Sequence, residues 1–167
     1  MYMTKRAVAA TIVVAGLVGT AGIALGSSSR STGPEYTYGT TGEFADATAE
    51  VHVVATGEGG SMITLHVRNA DAEAGRTFGA HVHQSPCGTD GSAAGGHYQH
   101  AATGDLEGRE VWLDFTVNRA GNGHAEARRP WAVDQSSPRS VIIHAAPTAS
   151  DGAAGARLAC IDLDGMP

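Results

Sequence analysis

Closely spaced histidines are the feature of this sequence with the clearest chemical potential. His81 and His83 flank Val82 within an apolar segment. On a β-strand, residues i and i+2 project from the same face about 6–7 Å apart, so both imidazoles can reach one metal ion while Val82 points to the opposite face. Taken alone, this pair is equally compatible with two exposed histidines on a sheet surface.

Two further histidines extend the pattern. His97 follows a pair of glycines, where the backbone can fold close to a site. His144 ends an apolar strand, on the face opposite the residues that are expected to be buried. Four imidazoles without a free thiolate suit Cu(II), which favours tetragonal nitrogen ligation, although the ligand type alone also admits zinc.

Three other histidines have ordinary positions on strand surfaces. His52 and His66 alternate with apolar residues, and His124 follows a predicted turn. We expect all three side chains to face solvent, because the neighbouring apolar residues take the buried face.

The segments around the histidines alternate apolar and polar residues and are separated by Gly, Asn and Asp. This pattern is typical of an antiparallel sandwich. It predicts strands at 49–55, 62–68, 77–84, 111–117, 124–127, 140–145 and 157–163. No stretch has sustained helical periodicity, so we predict an all-β fold.

Two Gly- and Ala-rich segments, 85–105 and 145–156, interrupt this pattern. Each begins beside a strand that carries a histidine. Long connections without regular structure are usually functional in a compact domain. We therefore expect these two loops to help build the site.

The N-terminal segment 1–26 indicates export. Lys5 and Arg6 precede a long uncharged apolar run that ends in small residues, the pattern of a secretory signal. A retained membrane anchor is the alternative, because about twenty apolar residues can span a bilayer. We expect a flexible linker over 27–45 and a folded domain over 46–167, located outside the cytoplasm in either case.

The exported part of the chain is acidic. Residues 1–26 hold two of the eleven cations and none of the seventeen acids, so the remainder has nine cations, no lysine and a net charge of −8. Nucleic acids and anionic membranes attract basic surfaces. This charge therefore argues against both as partners, leaving membrane attachment only through a retained N-terminal segment.

Cys87 and Cys160 are the cysteines of the chain. In an oxidising compartment, such a pair favours a disulfide over a metal or redox site.

Five motifs, taken together and in order, resemble those of the Cu/Zn superoxide dismutases, with the bacterial secreted branch the closer match. They are Gly-Ala-His-Val-His at 79–83 with Cys87, Ala-Gly-Gly-His-Tyr at 94–98, Gly-Asp-Leu at 104–106, Val-Ile-Ile-His at 141–144 and Gly-Ala-Arg-Leu-Ala-Cys at 155–160. The resemblance extends over about 49–163. It implies an eight-stranded antiparallel Greek-key β-sandwich or barrel with two functional loops.

The resemblance also implies roles for the matching residues. The family's copper ligands correspond to His81, His83, His97 and His144, and its intrasubunit disulfide to Cys87 and Cys160. Arg157 matches the arginine that draws the superoxide anion to copper. His97 matches the mobile ligand, which releases copper and takes a proton on reduction.

The family's zinc site is incomplete in this chain. Only seven residues separate His97 from Asp105, which matches the zinc-binding aspartate, and Ala102 stands where a zinc-binding histidine is expected. With His100 as a candidate replacement, the chain offers at most three ligands, whereas a structural zinc takes four. We therefore favour a copper-only centre, in which Asp105 or His100 hydrogen-bonds the second nitrogen of His97.

The activity that the resemblance implies is copper-dependent dismutation of superoxide to oxygen and hydrogen peroxide. The alternative is an extracytoplasmic copper-binding or copper-buffering protein with little dismutase activity. The incomplete zinc site favours this alternative, and so does the second loop, 145–156, which is shorter than the resemblance leads us to expect. Arg157 favours the enzyme, because storage of copper does not require that cation.

Overall fold

A computed structural model describes residues 28–38, 42–133 and 139–163 of the chain. Within these ranges the strands are β1 (Ser28–Gly33), β2 (Tyr36–Thr37), β3 (Thr48–Ala55), β4 (Ser61–Arg68), β5 (Thr77–Phe78), β6 (Ala80–His83), β7 (Phe115–Thr116), β8 (Gly123–Arg129), β9 (Arg139–His144) and β10 (Arg157–Leu163). The described helical segments are α1 (Leu106–Arg109) and short 3₁₀ helices at Gly57–Gly59, Asp71–Glu73 and Gly91–Ala94.

Two four-stranded antiparallel sheets make up the body of the fold. The first has the strand order β1-β3-β4-β8 and the second the order β2-β10-β9-β6, while β5 and β7 form a separate pair. One apolar core collects residues from both sheets, among them Val51 and Ile63 from the first sheet and Val82 and Val141 from the second. The prediction of an all-β antiparallel sandwich is confirmed.

The alternation of side chains along each strand gives each sheet a second, outward face. In the second sheet this outward face carries Ile142 and Cys160, which are fully buried and cluster with Ala94 of the 85–105 loop. The loop therefore covers the outer face of the second sheet. On the first sheet, the outward face carries exposed or half-buried polar residues.

A disulfide between Cys87 and Cys160 fixes the 85–105 loop to β10. The two cysteines are 73 residues apart in sequence. In the chain-entropy model, a crosslink that closes so long a segment stabilises the folded state by about 4 kcal/mol, because it restricts the unfolded chain. The pairing that the resemblance implies is confirmed.

Part of the predicted 27–45 linker is strand instead. β1 pairs along β3, and β2 pairs along β10. The sequence of β1 is Ser-Ser-Arg-Ser-Thr-Gly, in which only Ser31 is buried. Hydrogen bonds between the backbones at the sheet edge hold this strand in place. Such bonds do not depend on side-chain type, so the sequence of the strand shows no apolar alternation.

The predicted strand 111–117 is largely an irregular segment. Only Phe115–Thr116 pairs as a strand, and Trp112 forms an isolated bridge to His81. The alternation of buried and less buried residues persists through the segment. Such alternation shows which side chains reach the core, but pairing also needs a neighbouring strand along the whole length. The predicted strand 77–84 is likewise divided at Gly79.

The other predicted strands agree with β3, β4, β8, β9 and β10 to within two residues at each end. Residues 1–27, which include the predicted export segment, lie outside the described residues. Among the residues described, no helix is long and apolar enough to cross a membrane.

Candidate metal centre

The structure brings together the four histidines that were predicted from the sequence as metal ligands. One possible ligand atom from each of His81, His83, His97 and His144 lies within 4.8 Å of each of the others. Three of them come from the outward face of the second sheet, on β6 and β9, and His97 comes from the loop that covers this face. His81 and His83 are fully buried, and His144 is 4% exposed.

Backbone hydrogen bonds hold the loop that carries His97 against β6. The amide of Gln84 donates to the Gly96 carbonyl, and the amide of Tyr98 donates to the Val82 carbonyl. Gly95 adopts a left-handed φ of 70°, a conformation that glycine reaches without strain. Its carbonyl accepts a hydrogen bond from a ring nitrogen of His83 and another from Arg157.

Backbone carbonyls fix the protonation of two of the imidazoles. His83 Nδ1 lies 3.1 Å from the Gly95 carbonyl oxygen, and His144 Nδ1 lies 3.2 Å from the Gly155 carbonyl oxygen. A carbonyl only accepts hydrogen bonds, so each Nδ1 must carry the proton. The Nε2 atom of each neutral ring therefore keeps a lone pair that faces the centre.

A hydroxyl and a carboxylate fix His81 in the opposite orientation. His81 Nε2 lies 2.7 Å from Thr148 Oγ1, and this hydroxyl donates its own proton to Asp114. The hydroxyl can then only accept from His81, so Nε2 carries the proton and Nδ1 holds the lone pair.

Glu110 is the partner of the second nitrogen of His97. His97 Nδ1 lies 3.0 Å from Glu110 Oε2, and Glu110 is 2% exposed. Burial alone would raise the pKa of Glu110, but hydrogen bonds from Trp112, Gln99 and His97 outweigh burial and lower the pKa below its ordinary value. The ionised carboxylate accepts the proton of His97 Nδ1, which leaves Nε2 free. This finding corrects the prediction that Asp105 or His100 is the partner.

The resulting nitrogens fit a bound metal ion. Within the described part of the chain, buried His81 Nδ1 has no hydrogen-bond partner. His83 Nε2 and His144 Nε2 lie 3.3 Å apart with no proton assigned to either. Nitrogens that bind one ion at about 2.0–2.1 Å are themselves about 2.9–3.4 Å apart. Ligating histidines typically donate their other ring N–H to a carbonyl or carboxylate, as happens here.

Burial keeps these imidazoles neutral. Burial, followed by the neighbouring imidazoles, lowers the pKa of His81 from 6.5 to about 2. Burial lowers the pKa of His83 to about 3 and that of His144 to about 4, although in each case the hydrogen bond to a carbonyl opposes the shift. Because a metal ion binds the neutral ring, the centre is ready for a cation at neutral pH.

Arg157 lies at the edge of the centre. Its guanidinium donates hydrogen bonds to the carbonyls of Gly91 and Gly95, and the side chain is half-buried. Its positive charge contributes to the lowered pKa values of His83 and His144. Arg157 is therefore electrostatically coupled to the histidines. It also holds the covering loop in place.

The two candidate zinc ligands outside the four-histidine group have other contacts. The exposed ring of His100 stacks on Trp131, with ring centroids 4.5 Å apart. Asp105 precedes α1 and accepts a hydrogen bond from the Gly108 amide. Neither residue belongs to the metal-ligating groups found among the described residues.

Sequence reasoning missed the residues that orient the imidazoles: Glu110, Trp112, Asp114 and Thr148. Three of them share one face of the alternating segment, whose opposite face is buried in the core. That alternation places the three residues on one face, but it does not distinguish them from solvent-facing residues in the same pattern. Thr148 lies in the second predicted loop, where no spacing points to it.

Comparisons with known proteins show the fold. No protein-family model matches this sequence, and neither does any curated protein sequence. Among solved structures, a SOD-like protein from Bacillus subtilis matches in a single-mutant form with 19% identity and a TM-score of 0.57, over 70% of this chain and 90% of that chain. A double mutant of the same protein matches with 18% identity and a TM-score of 0.54, over 70% and 89%.

The clock protein EA4 also matches, with 16% identity and a TM-score of 0.58, over 85% of this chain and 98% of that chain. These likenesses show that the chain adopts the β-sandwich of SOD-like proteins. The four-histidine group and the disulfide agree with that fold.

The lowered pKa values predict that acid destabilises the metal-free protein. Below about pH 6.5, the unfolded chain binds protons at His81, His83 and His144, whereas the folded protein does not until the pH approaches about 2, 3 and 4, respectively. The unfolded state therefore binds more protons. Lowering the pH by one unit decreases the free energy of unfolding by up to about 1.4 kcal/mol for each histidine. Urea unfolding between about pH 7 and pH 5 measures this slope.

His100→Gln is the control, because it removes an exposed histidine and should leave the slope unchanged. A free energy of unfolding that stays constant between these pH values would contradict the burial of three neutral imidazoles.

Proposed function

We propose that this chain is a copper-dependent superoxide dismutase of the Cu/Zn superoxide dismutase family, active outside the cytoplasm. The observation that carries the proposal is the convergence of four imidazoles whose second nitrogens are all hydrogen-bonded. The SOD-like fold and the sequence motifs support it. The disulfide supports an oxidising compartment, since such bonds rarely persist in a reducing cytosol.

Copper is the metal that this donor set favours. Four nitrogen ligands suit Cu(II), which binds more tightly than zinc in the usual order of divalent metals. When bound, copper would supply a one-electron couple that oxidises one superoxide and reduces another, so that two superoxides and two protons yield oxygen and hydrogen peroxide. His81, His83, His97 and His144 would hold it.

His97 is the ligand best placed to handle a proton. Its side chain is 20% exposed, whereas the other three rings are almost completely buried. Glu110 keeps the proton on Nδ1, so a second proton can only be held at Nε2, the atom that faces the centre. We infer that His97 Nε2 takes a proton from solvent and gives it to the reduced substrate.

The contacts of Glu110 support a copper-only centre. In a centre with a second ion, His97 Nδ1 would have to turn its lone pair toward that ion. Here the same atom donates its proton to an ionised carboxylate, which also accepts hydrogen bonds from Trp112 and Gln99. Glu110 thus supplies the negative charge and the orientation that His97 needs.

Arg157 is the proposed guide for the superoxide anion. The exported domain has a net charge of −8, so its average field repels an anion. A fixed cation beside the histidines reverses the field locally, and focused charge raises association rates about ten- to a thousand-fold.

One observation favours the alternative function, a copper-binding or copper-buffering protein. Both terminal nitrogens of Arg157 donate to carbonyls of the covering loop, so the side chain already has a structural role that does not require it to guide an anion. The two functions differ in the rate that copper-loaded protein should show with superoxide.

Substitution of Glu110 tests the support of His97. Glu110→Gln should weaken copper binding about ten- to a hundredfold, because residues that orient a metal ligand typically contribute this much. The removal of negative charge next to His97 should also slow dismutation at equal copper content. Competition with a copper chelator measures the affinity, and pulse radiolysis measures the rate.

Glu107→Gln is the matched control for this variant, because Glu107 is an exposed acid on α1 and should change neither quantity. Unchanged copper affinity in the Glu110→Gln protein would show that His97 needs no carboxylate partner.

Substitution of Arg157 separates the two functions. Arg157→Ala should lower the superoxide rate about tenfold and weaken its dependence on ionic strength, because the lost attraction is screened by salt. Arg157→Lys keeps the charge but loses the two-pronged hydrogen bonding, so it should retain the salt dependence. Pulse radiolysis at low and high salt, on samples matched for bound copper, makes the comparison.

Arg119→Ala removes an exposed arginine of the loop between β7 and β8 and serves as the control. Equal rates for wild type and Arg157→Ala would exclude Arg157 as a guide. A negligible wild-type rate with copper fully bound would establish the copper-binding alternative.

A further inference from the structure

Three histidines outside the metal centre also meet on one surface. His52 on β3, His66 on β4 and His124 on β8 all project from the outward face of the first sheet. The strand register places His66 directly opposite His124, and His52 lies diagonally from His66 because it pairs with Thr64. We call these three residues the outer histidine patch.

The separations within the patch match those within the metal centre. In the centre, ring centroids are between 4.1 Å and 6.4 Å apart. In the outer histidine patch, the centroids of His66 and His124 are 4.5 Å apart, and those of His52 and His66 are 6.4 Å apart. The rings of His66 and His124 are therefore close enough for their nitrogens to reach one ion, whereas the three patch histidines together are not among the metal-ligating groups of three or more found in the described residues.

The surroundings of His66 disfavour protonation of its ring. Burial, followed by the charges of His124, His52 and Arg68, lowers the pKa of His66. Glu50, which lies opposite His66 on β3, forms an ion pair with Arg30 and a contact with His52. The acid therefore offsets part of the nearby positive charge.

We propose that His66 and His124 bind a divalent copper ion on the outward face of the first sheet. Two imidazoles on a solvated surface suit Cu(II), which stands highest among the divalent first-row metals in affinity for nitrogen ligands. The groove beside His66 and His124, lined also by Thr116, Asn118 and Asn122, leaves room for water to complete the coordination.

This site differs from the metal centre in access. Three histidines of the centre lie beneath the 85–105 loop, which carries the fourth, whereas His124 is exposed and His52 and His66 are partly exposed. Copper bound at the patch therefore exchanges readily and should be removed by a chelator that leaves the centre loaded. The proposal concerns binding alone and does not depend on dismutase activity.

Paramagnetic broadening locates such an ion. The full chain is titrated with Cu²⁺ while amide signals are followed by NMR. Signals of β4 and β8 next to His66 and His124 should broaden at low molar excess, separately from signals of β6 and β9 next to the metal centre. The two sets are read independently, so failure of one site is distinguishable from failure of the other.

The variants assign the effect to side chains. Loss of a residue that only supports a ligand weakens metal binding about ten- to a hundredfold, so His66→Gln with His124→Gln should weaken the outer site at least as much. His100→Gln, an exposed histidine stacked on Trp131, should leave the broadening of β4 and β8 unchanged. Melting temperatures confirm that each variant is folded.

Three results would overturn the proposal. They are the absence of broadening on β4 and β8 in the wild type, persistence of that broadening in the double variant, and its loss in the His100→Gln control.

Discussion

The lone pairs of four imidazoles that face one centre are the constraint on which the site and its surroundings depend. A polar atom buried without a partner destabilises a fold by about 1–3 kcal/mol. His81 Nδ1 is such an atom, and the Nε2 atoms of His83 and His144 face each other at 3.3 Å. Each ring keeps one lone pair directed toward the centre because its other nitrogen donates a hydrogen bond to a fixed acceptor. A single cation would satisfy all of these lone pairs at once.

The surrounding structure keeps those acceptors in place. Strand alternation turns three of the histidines away from the core, and the 85–105 loop then has to cover them. The disulfide ties one end of this loop to β10, and Arg157 binds two of its carbonyls. The carbonyl of Gly95 accepts hydrogen bonds from both His83 and Arg157, which links the position of the guanidinium to the orientation of the His83 ring. Metal binding, loop packing and local charge are thus parts of one arrangement.

The sequence predicted the ligands better than their partners. His81, His83 and His144 follow from the two-residue period of strands, and His97 follows from its glycines and from the family resemblance. Glu110 and Thr148 do not, because their contacts with the histidines join residues 13 and 67 positions apart and depend on how loops pack. β1 was missed because its pairing is through the backbone. The outer histidines were correctly predicted to lie at the surface. Their proximity to one another depends on strand register, which the residue type at a single position does not reveal.

X-ray absorption at the copper edge tests the central claim most directly. Protein loaded with about one equivalent of Cu²⁺ should show about four nitrogen neighbours at about 2 Å, with the scattering pattern of imidazole rings. The spectrum should be unchanged in a sample in which both His66 and His124 are replaced by Gln, because the first ion occupies the buried centre. A shell with fewer than three imidazoles, or one that contains sulfur, would contradict the account.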